Sequence, residues 1–344
     1  MFTPATTTLG ATLMLLSSSA LLHSTGQILG CSDIISATLL PFLGHGRARP
    51  DTAPILLGLL AAPLAVSWLA PAYLPQYPAS SWGTHLAAGA LVGFGSQWAG
   101  GCTSGHMLLG VARGSRRSVV AAGVFSATGM LVALFGDLPA AAAPGYAPTG
   151  NPPEAPAVAA AAVAAVVAAA GGAWLLRHPS LARSRRTAAA AATATRVYAG
   201  FVFGLGLLVS GMAAPAKSLG FLSVFDRSRF DHSLLLVAVV AVGGNAVLWR
   251  RRAPQPALAV ATVEGRTGAG AGVEAGAGGW GSVPRDGLVD WRLVAGSALF
   301  GVGWGLEGIC PGSGAIAAVL DGARGLGWLG AFLAGRRFAA GGLW

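Results

Sequence analysis

Charged side chains are scarce in this chain of 344 residues. Only 10% of the residues are Asp, Glu, Lys or Arg, and Lys217 is the single lysine. A soluble domain carries about 25% charged residues, so this chain has too few to cover a surface that faces water. Hydrophobic residues make up 54%, and the mean hydropathy is +0.64. The composition excludes a soluble globular protein and predicts an all-α membrane protein with several spans.

Cysteine is scarce as well. The three residues are Cys31, Cys102 and Cys310, and each lies in an apolar segment rather than in an exposed loop. An odd number in such places does not suit a disulfide framework. A buried cysteine is usually a small apolar core residue. Here all three lie beside interruptions of apolar segments, which packing alone does not explain.

The net charge of +10 raises the alternative of nucleic-acid binding. The arginines, however, stand in short runs between apolar segments, and these runs alternate with loops that are poor in positive charge. Such alternation follows the positive-inside rule, so we expect no nucleic-acid partner. It predicts an integral protein of the plasma membrane with nine crossings, the amino terminus outside and the carboxyl terminus in the cytoplasm.

The predicted spans are residues 5–43, 53–70, 84–112, 118–136, 157–176, 196–225, 233–249, 291–320 and 325–341. The residues before Cys31 resemble a lipoprotein cleavage box, but no basic residue precedes the first apolar run, as a signal peptide requires. We therefore expect residues 5–43 to be retained as a broken first helix.

One segment, residues 93–110, reads GFGSQWAGGCTSGHMLLG and interrupts its apolar span with a glycine-rich turn. Irregular backbone at membrane depth is tolerated only where it is buried in protein or lines a polar cavity. A similar segment, GVGWGLEGICPGSG, lies 208 positions later, so that Cys102 aligns with Cys310. A weaker alignment pairs residues 26–32 with residues 204–210, and Ser32 with Ser210.

These repeated segments predict two halves that form an inverted repeat, with broken helices that meet at the membrane centre. Each half has four helices, and one connector helix joins them. We expect one transmembrane domain over residues 1–344. Its parts are a first half, 1–137; a connector with one helix, 138–195; and a second half, 196–344, with a flexible glycine-rich loop at 265–282.

Small hydroxyl or thiol side chains stand near the predicted helix restarts, and such residues cap free N–H groups. Pro215 and Pro311 suit the first turn of a helix. Helix starts that point into the membrane favour an anion, although each break alone also fits ordinary capping. Thiols are polarisable and suit a soft, sulfur-containing ligand. The candidate binding and translocation residues are Cys31, Cys102, Cys310, Ser32, Thr103, Ser104, His106, Ser210, Ser313, Glu307 and Lys217.

Ionisable residues within spans are functional candidates. His106 either takes part in translocation or bonds a backbone carbonyl that the break leaves free. Glu307 is either buried and protonated or couples protons to uptake. Lys217 either offsets the charge of an anion or extends to the membrane interface.

Three stretches carry a resemblance to a known family: GGCTSGHMLLG at 100–110, LVSGMAAPAKSLGFL at 208–222, and GWGLEGICPGSG at 303–314. They resemble the signature segments of the YeeE/YedE sulfur-transport family. The resemblance implies a membrane permease that takes up thiosulfate, with the three cysteines contacting the anion in turn. It implies no cofactor, and partners limited to the anion, the lipid bilayer and a cytoplasmic sulfur-carrier protein. Asp33 and Glu307 depart from the family pattern and add negative charge near the path.

Two alternatives stay open. A membrane sulfurtransferase would carry a persulfide on Cys102 or Cys310, with His106 as the nearby base. A soft-metal transporter would use the cysteines, His106 and Met107. One cysteine per break, without a C-x-x-C pair, does not match tetrahedral zinc spacing, and we expect no resident metal.

Overall fold

The computed structural model describes residues 3–46, 49–77, 80–135, 185–227, 229–251 and 288–341. Every regular element in these ranges is a helix, as the composition predicts. The helices are α1 Pro4–Thr25, α2 Cys31–Leu39, α3 Ala53–Leu69, α4 Trp82–Ala99, α5 Ser104–Val111, α6 Arg116–Phe135, α7 Arg185–Val209, α8 Pro215–Leu222, α9 His232–Arg251, α10 Trp291–Glu307, α11 Pro311–Leu320 and α12 Gly322–Gly341.

Several of these helices are long enough to cross a membrane. Within the described ranges, five segments combine sufficient length and apolar character: Pro4–Thr25, Arg116–Phe135, Ala189–Val209, His232–Arg251 and Trp291–Leu320. A span needs about 20 predominantly apolar residues. The chain is therefore a polytopic membrane protein. The predicted span 157–176, most of the connector and the loop 265–282 lie outside the described residues, so the count of nine and the inverted repeat stay predictions.

Each of the four predicted interruptions separates two helices. We call them break 1 (residues 26–30), break 2 (100–103), break 3 (210–214) and break 4 (308–310). At every break a glycine with positive φ lies at or just past the end of the preceding helix, and these are Gly26, Gly100, Gly211 and Gly308, with φ of 71°, 72°, 76° and 69°. Glycine ends helices in this way because it has no Cβ to clash in the left-handed region.

These glycines correct one sequence alignment. Ser32 lies in the first turn of α2, whereas Ser210 lies at the end of α7, five residues before α8 begins. The predicted pairing of Ser32 with Ser210 is therefore wrong, and Ser210 does not stand at a helix restart. Gly26 corresponds instead to Gly211, because both lie where a helix gives way to a break.

Helix α4 packs between α10 and α12, and glycine makes that packing close. A Cβ on Gly93 would lie 2.0 Å from the Phe332 carbonyl oxygen, and one on Gly95 would lie 2.4 Å from the Phe300 nitrogen. Small residues at such crossings let membrane helices approach closely. The two helices α4 and α10 run antiparallel, because Trp98 near the end of α4 contacts Trp291 at the start of α10.

Several arginines lie at one end of the described bundle. The side chain of Arg117 donates to the Leu288 carbonyl just before α10, and Arg336 and Arg49 both contact Asp33. We call this end the arginine face. The start of α4 and the end of α10 lie at the other end, where His85 contacts Glu307. The positive-inside rule predicts that the arginine face is cytoplasmic.

Candidate functional site

One cavity collects residues from all four breaks. Its volume is about 80 Å³, several times the ~10–15 Å³ that a single water needs. Breaks 1 to 4, or the helix turns that follow them, contribute Cys31, Thr103 and Ser104, Met212, and Cys310 and Gly312. The other lining residues are mostly apolar, Met14, Phe203 and Trp304 among them. The cavity is therefore a mostly apolar chamber with thiols and hydroxyls at the helix breaks.

The start of α2 is capped by side chains from break 2. The residue before α2 is Gly30, which has no side chain to offer, so its first N–H groups need partners from elsewhere. The N–H of Cys31 donates to Ser104 Oγ at 3.0 Å, and the N–H of Ser32 donates to Cys102 Sγ at 3.3 Å. Cys102 Sγ and Ser104 Oγ are 3.2 Å apart. Break 2 thus caps the helix that follows break 1.

Cys310 caps its own helix. It stands directly before Pro311, the first residue of α11, which has no N–H to satisfy. The N–H of Cys310 donates to Ser313 Oγ at 2.9 Å, and the Ser313 hydroxyl lies 3.5 Å from Cys310 Sγ. The predicted first-turn positions of Pro215 and Pro311 are both confirmed.

The three cysteines lie close together, and none is in a disulfide. All three are buried. A Cβ on Gly312, in the first turn of α11, would lie only 3.3 Å from Cys31 Sγ. Cys31 thus lies between break 2, which supplies Cys102, and break 4, which supplies Cys310. None of the three thiols faces the outer surface of the bundle.

His106 is held by the backbone of break 2. Its Nε2–H donates to the Ala99 carbonyl at 3.2 Å, and the Ser118 hydroxyl lies 3.1 Å from Nδ1. Ala99 is the last residue of α4, so its carbonyl is one that the break leaves free. His106 therefore bonds a backbone carbonyl that the break leaves free, which is the second of the two interpretations drawn from the sequence. Both ring nitrogens are engaged, and neither contacts Cys102.

Ser210 and Lys217 are not among the residues that line the cavity. The Ser210 hydroxyl accepts from the Met212 N–H at 3.3 Å, and the Ser210 carbonyl accepts from Thr7. Lys217 Nζ donates to the Thr7 hydroxyl at 2.9 Å and lies 3.9 Å from Asp231. Lys217 is fully buried, so its ammonium group lies inside the bundle, and extension to the interface, one of its two sequence interpretations, does not describe its contacts. Asp231, which sequence analysis did not single out, is its counterion.

Arg336 is a buried cation that sequence analysis treated only as a loop charge. Its side chain is 9% exposed and lies 3.9 Å from Asp33, and it donates to the Ser96 hydroxyl at 3.4 Å. Its Nε has no hydrogen-bond partner among the described residues. Asp33 also pairs with the half-exposed Arg49 at 2.9 Å. Arg336 is connected to Cys102 through the start of α2, because Asp33 contacts Arg336 and the N–H of the preceding residue, Ser32, donates to Cys102 Sγ.

Glu307 and His85 form a buried pair at the other end of α4. His85 Nδ1 lies 3.2 Å from Glu307 Oε2, and His85 Nε2 lies 3.0 Å from the Arg324 carbonyl oxygen. Sequence analysis named Glu307 and missed His85. The one sequence signal for His85 is that it is an ionisable residue inside a glycine-rich apolar helix, but it lies far from any break in that helix.

No three His, Cys, Asp or Glu side chains in the described part of the chain form a group that could hold a metal ion. The soft-metal alternative therefore gains no support from the geometry of these residues.

Comparison with known proteins divides the chain into two matched regions. Residues 3–131 match the family described as sulphur transport, and residues 193–339 match a family of unknown function, DUF6691. A probable transporter of Xylella fastidiosa strain 9a5c is 38% identical over 127 residues, which cover 37% of this chain and 90% of that protein. A probable transporter of strain Temecula1 is 37% identical with the same coverage. Another from strain 9a5c is 35% identical over 126 residues, 72% of its length. No solved structure matches the chain.

Proposed function

The chain belongs to the YeeE/YedE sulphur transport family, and on this premise we propose that it is a permease for thiosulfate or a closely related sulfur-containing anion. The observation that carries the proposal is the cavity of about 80 Å³, which Cys31, Ser104 and Cys310 line together. A site for a small ligand needs an apolar enclosure with a few placed polar groups, and this cavity has both.

The donors of the cavity suit a soft anion. Thiol groups are weak, polarisable donors, so they can contact the terminal sulfur of thiosulfate without holding it tightly. The hydroxyls of Thr103 and Ser104 and the helix starts of α2 and α11 add N–H and O–H donors for its oxygens. A site that is too strong would trap the anion, since conduction requires binding that is also weak enough to release.

The cysteines define an order of steps. Gly312 brings the start of α11 against Cys31 Sγ, and the start of α2 touches Cys102. An anion that leaves Cys310 therefore meets Cys31 next and Cys102 last. Each step is short because all three residues belong to contacting segments. No covalent bond to sulfur is needed along this route.

Arg336 provides the charge that the thiols lack. Moving a dianion out of water is costly unless an opposite charge compensates it. Arg336 has an unsatisfied Nε beside a 3.4 Å hydrogen bond to Ser96 and a 3.9 Å contact with Asp33, so an arriving anion can accept from that Nε–H. Asp33 competes for the same cation, which releases the anion toward Arg49. With the arginine face in the cytoplasm, the direction is uptake.

The sulfurtransferase alternative needs a base beside a cysteine. His106 was its candidate, and both nitrogens of that ring are engaged by Ala99 and Ser118. No contact of the described residues favours this alternative over transport. Mass spectrometry of the purified protein tests it directly, because a persulfide adds the mass of one sulfur atom to a cysteine peptide.

The decisive experiment is uptake of radiolabelled thiosulfate by proteoliposomes that contain the purified chain, with sulfate as competitor. We expect saturable uptake that sulfate inhibits weakly. The variant in which Cys31, Cys102 and Cys310 are all replaced by Ala should lose uptake while keeping the elution profile of the folded protein. The three single Cys→Ser variants should lose it unequally. Full uptake by the triple variant would overturn the proposal.

A further inference from the structure

The hydrogen-bond geometry of His85 fixes where its protons lie. Its Nε2 faces the carbonyl oxygen of Arg324 at 3.0 Å, and a carbonyl only accepts, so Nε2 carries a hydrogen. In a neutral imidazole the other nitrogen, Nδ1, would then be an acceptor. Nδ1 lies 3.2 Å from a carboxylate oxygen of Glu307, which is an acceptor too. The contact is favourable only when one additional proton lies between the two groups.

The two side chains are buried. The side chains of His85 and Glu307 are 3% and 6% exposed, and Glu307 Oε1 has no hydrogen-bond partner within the described ranges. With the proton present, the pair is neutral overall, either as imidazolium with carboxylate or as imidazole with carboxylic acid. Without the proton, a single negative charge remains in a buried site, which is unfavourable unless an opposite charge compensates it.

The charged neighbours do not supply that compensation by direct contact. Asp321 lies in the turn before α12, near Glu307, His85 and Arg324. Tyr77 also lies near Asp321. The Arg324 guanidinium is committed to Ser80 and lies over the ring of Trp82. On the other helices that pack against α10, the ionisable residues are Arg116 and Arg117 at the far end of α6, and Lys217 of α8, which is paired with Asp231.

The pair stands next to the cavity along the chain. Glu307 ends α10, and only Gly308 and Ile309 separate it from Cys310, which lines the cavity. An anion beside Cys310 is repelled by an unprotonated Glu307 and not by the neutral pair, because Coulomb interactions between nearby groups are weakly screened inside a protein. Proton binding and anion binding at this end therefore favour each other.

From this we propose that His85 and Glu307 form a proton-binding site that is linked to anion binding at Cys310, so that the anion is bound together with one proton. This inference rests on the proposed function, because it requires a bound anion. The ligand of the new site is the proton itself, and the two residues differ from the cysteines that contact the anion. Binding of either ligand raises the affinity for the other by the same factor.

The test measures thiosulfate binding to the full-length purified protein across a pH series, by calorimetry in buffers of different ionisation enthalpy. For the unaltered chain we expect the dissociation constant to rise by about tenfold per pH unit once the pair has lost its proton, which is the slope for one linked proton. Up to one proton should be taken up per anion in that range. Glu307→Gln should bind thiosulfate with an affinity that no longer changes with pH, and without proton uptake.

A matched control is Asp226→Asn, the same acid-to-amide change at an exposed residue paired with Arg229. It should keep the pH dependence of the unaltered chain. If Glu307→Gln does not fold, His85→Gln replaces it and should shift the pH at which affinity falls, because the imidazole no longer shares the proton. The inference is overturned if thiosulfate binds with the same affinity at all pH values, or if both variants keep the original profile. Absence of any thiosulfate binding or uptake by the unaltered chain would instead refute the proposed function, and the linkage with it.

Discussion

Breaks 2 and 4 are similar in sequence and differ in how they are held. Gly100 and Cys102 align with Gly308 and Cys310, and both glycines have φ near 70°. In break 2, however, Cys102 and Ser104 cap α2, a helix that belongs to another break. In break 4, Cys310 and its helix cap each other locally. A repeated motif therefore fixes the same backbone turn twice, while the packing around each copy decides what its thiol contacts.

The charges at the two breaks differ as well. Cys102 lies near the buried guanidinium of Arg336, whereas Cys310 follows Glu307 in the chain, whose carboxylate contacts His85. The position in break 2 that corresponds to Glu307 is Ala99, which offers only its carbonyl. The Cys102 end of the cysteine cluster thus holds a buried arginine that Asp33 contacts, and the Cys310 end holds a buried glutamate that His85 contacts.

The largest contrast between the breaks should appear on replacing their glycines. Gly100→Ala places a Cβ 3.9 Å from its nearest neighbour atom, in Arg117, so its cost is mainly the left-handed backbone, about 1–2 kcal/mol of unfolding free energy. Gly308→Ala would place a Cβ 2.4 Å from the Pro215 carbonyl oxygen, which adds ~1–3 kcal/mol of overpacking. Thermal unfolding of the two purified variants measures the difference. Equal losses would show that break 4 is no more tightly held than break 2.

The next effect concerns the charge at the arginine face. Arg336→Gln removes the guanidinium beside Cys102, and a hydrogen bond to a charged group is worth about 1.5–3 kcal/mol. The KM for thiosulfate should therefore rise by roughly 10- to 100-fold. Arg337→Gln is the matched control, because Arg337 is the next residue and is exposed. Uptake kinetics in proteoliposomes compare the two. A similar rise in both variants would mean that general surface charge, rather than the buried cation, attracts the anion.

The positions of the breaks were predictable because glycine leaves a local signature. The runs around Gly100 and Gly308 end helices by a backbone conformation that the sequence itself dictates, and a repeat at a fixed offset makes the pattern specific. The alignment of Ser32 with Ser210 failed because it relied on side-chain identity and ignored the capping glycines Gly26 and Gly211.

The partners at the site were not predictable, since they come from helices that are distant in the chain. His85 contacts Glu307 across 222 positions, and Arg336 reaches Ser96 across 240. Neither contact has a local pattern, and Arg336 also satisfied the positive-inside rule, which explained its charge without reference to a site. Packing between α4, α10 and α12 creates these pairs, and periodicity does not specify which helices are neighbours.

The smallest contrast is between the two capping serines. Ser104→Ala and Ser313→Ala each remove the acceptor of a cysteine N–H, and loss of a helix cap costs about 0.5–2 kcal/mol of unfolding free energy. Only Ser104 also lines the cavity, so Ser104→Ala alone should weaken thiosulfate binding, by about fivefold for one neutral hydrogen bond of ~1 kcal/mol. Ser313→Ala should keep the affinity of the unaltered chain. Calorimetric titration of both variants beside their melting curves separates the two effects. If Ser313→Ala weakened binding as much as Ser104→Ala, anion binding would depend equally on both caps. The difference between Ser104, which caps a helix of another break, and Ser313, which caps its own helix, would then have no effect on binding.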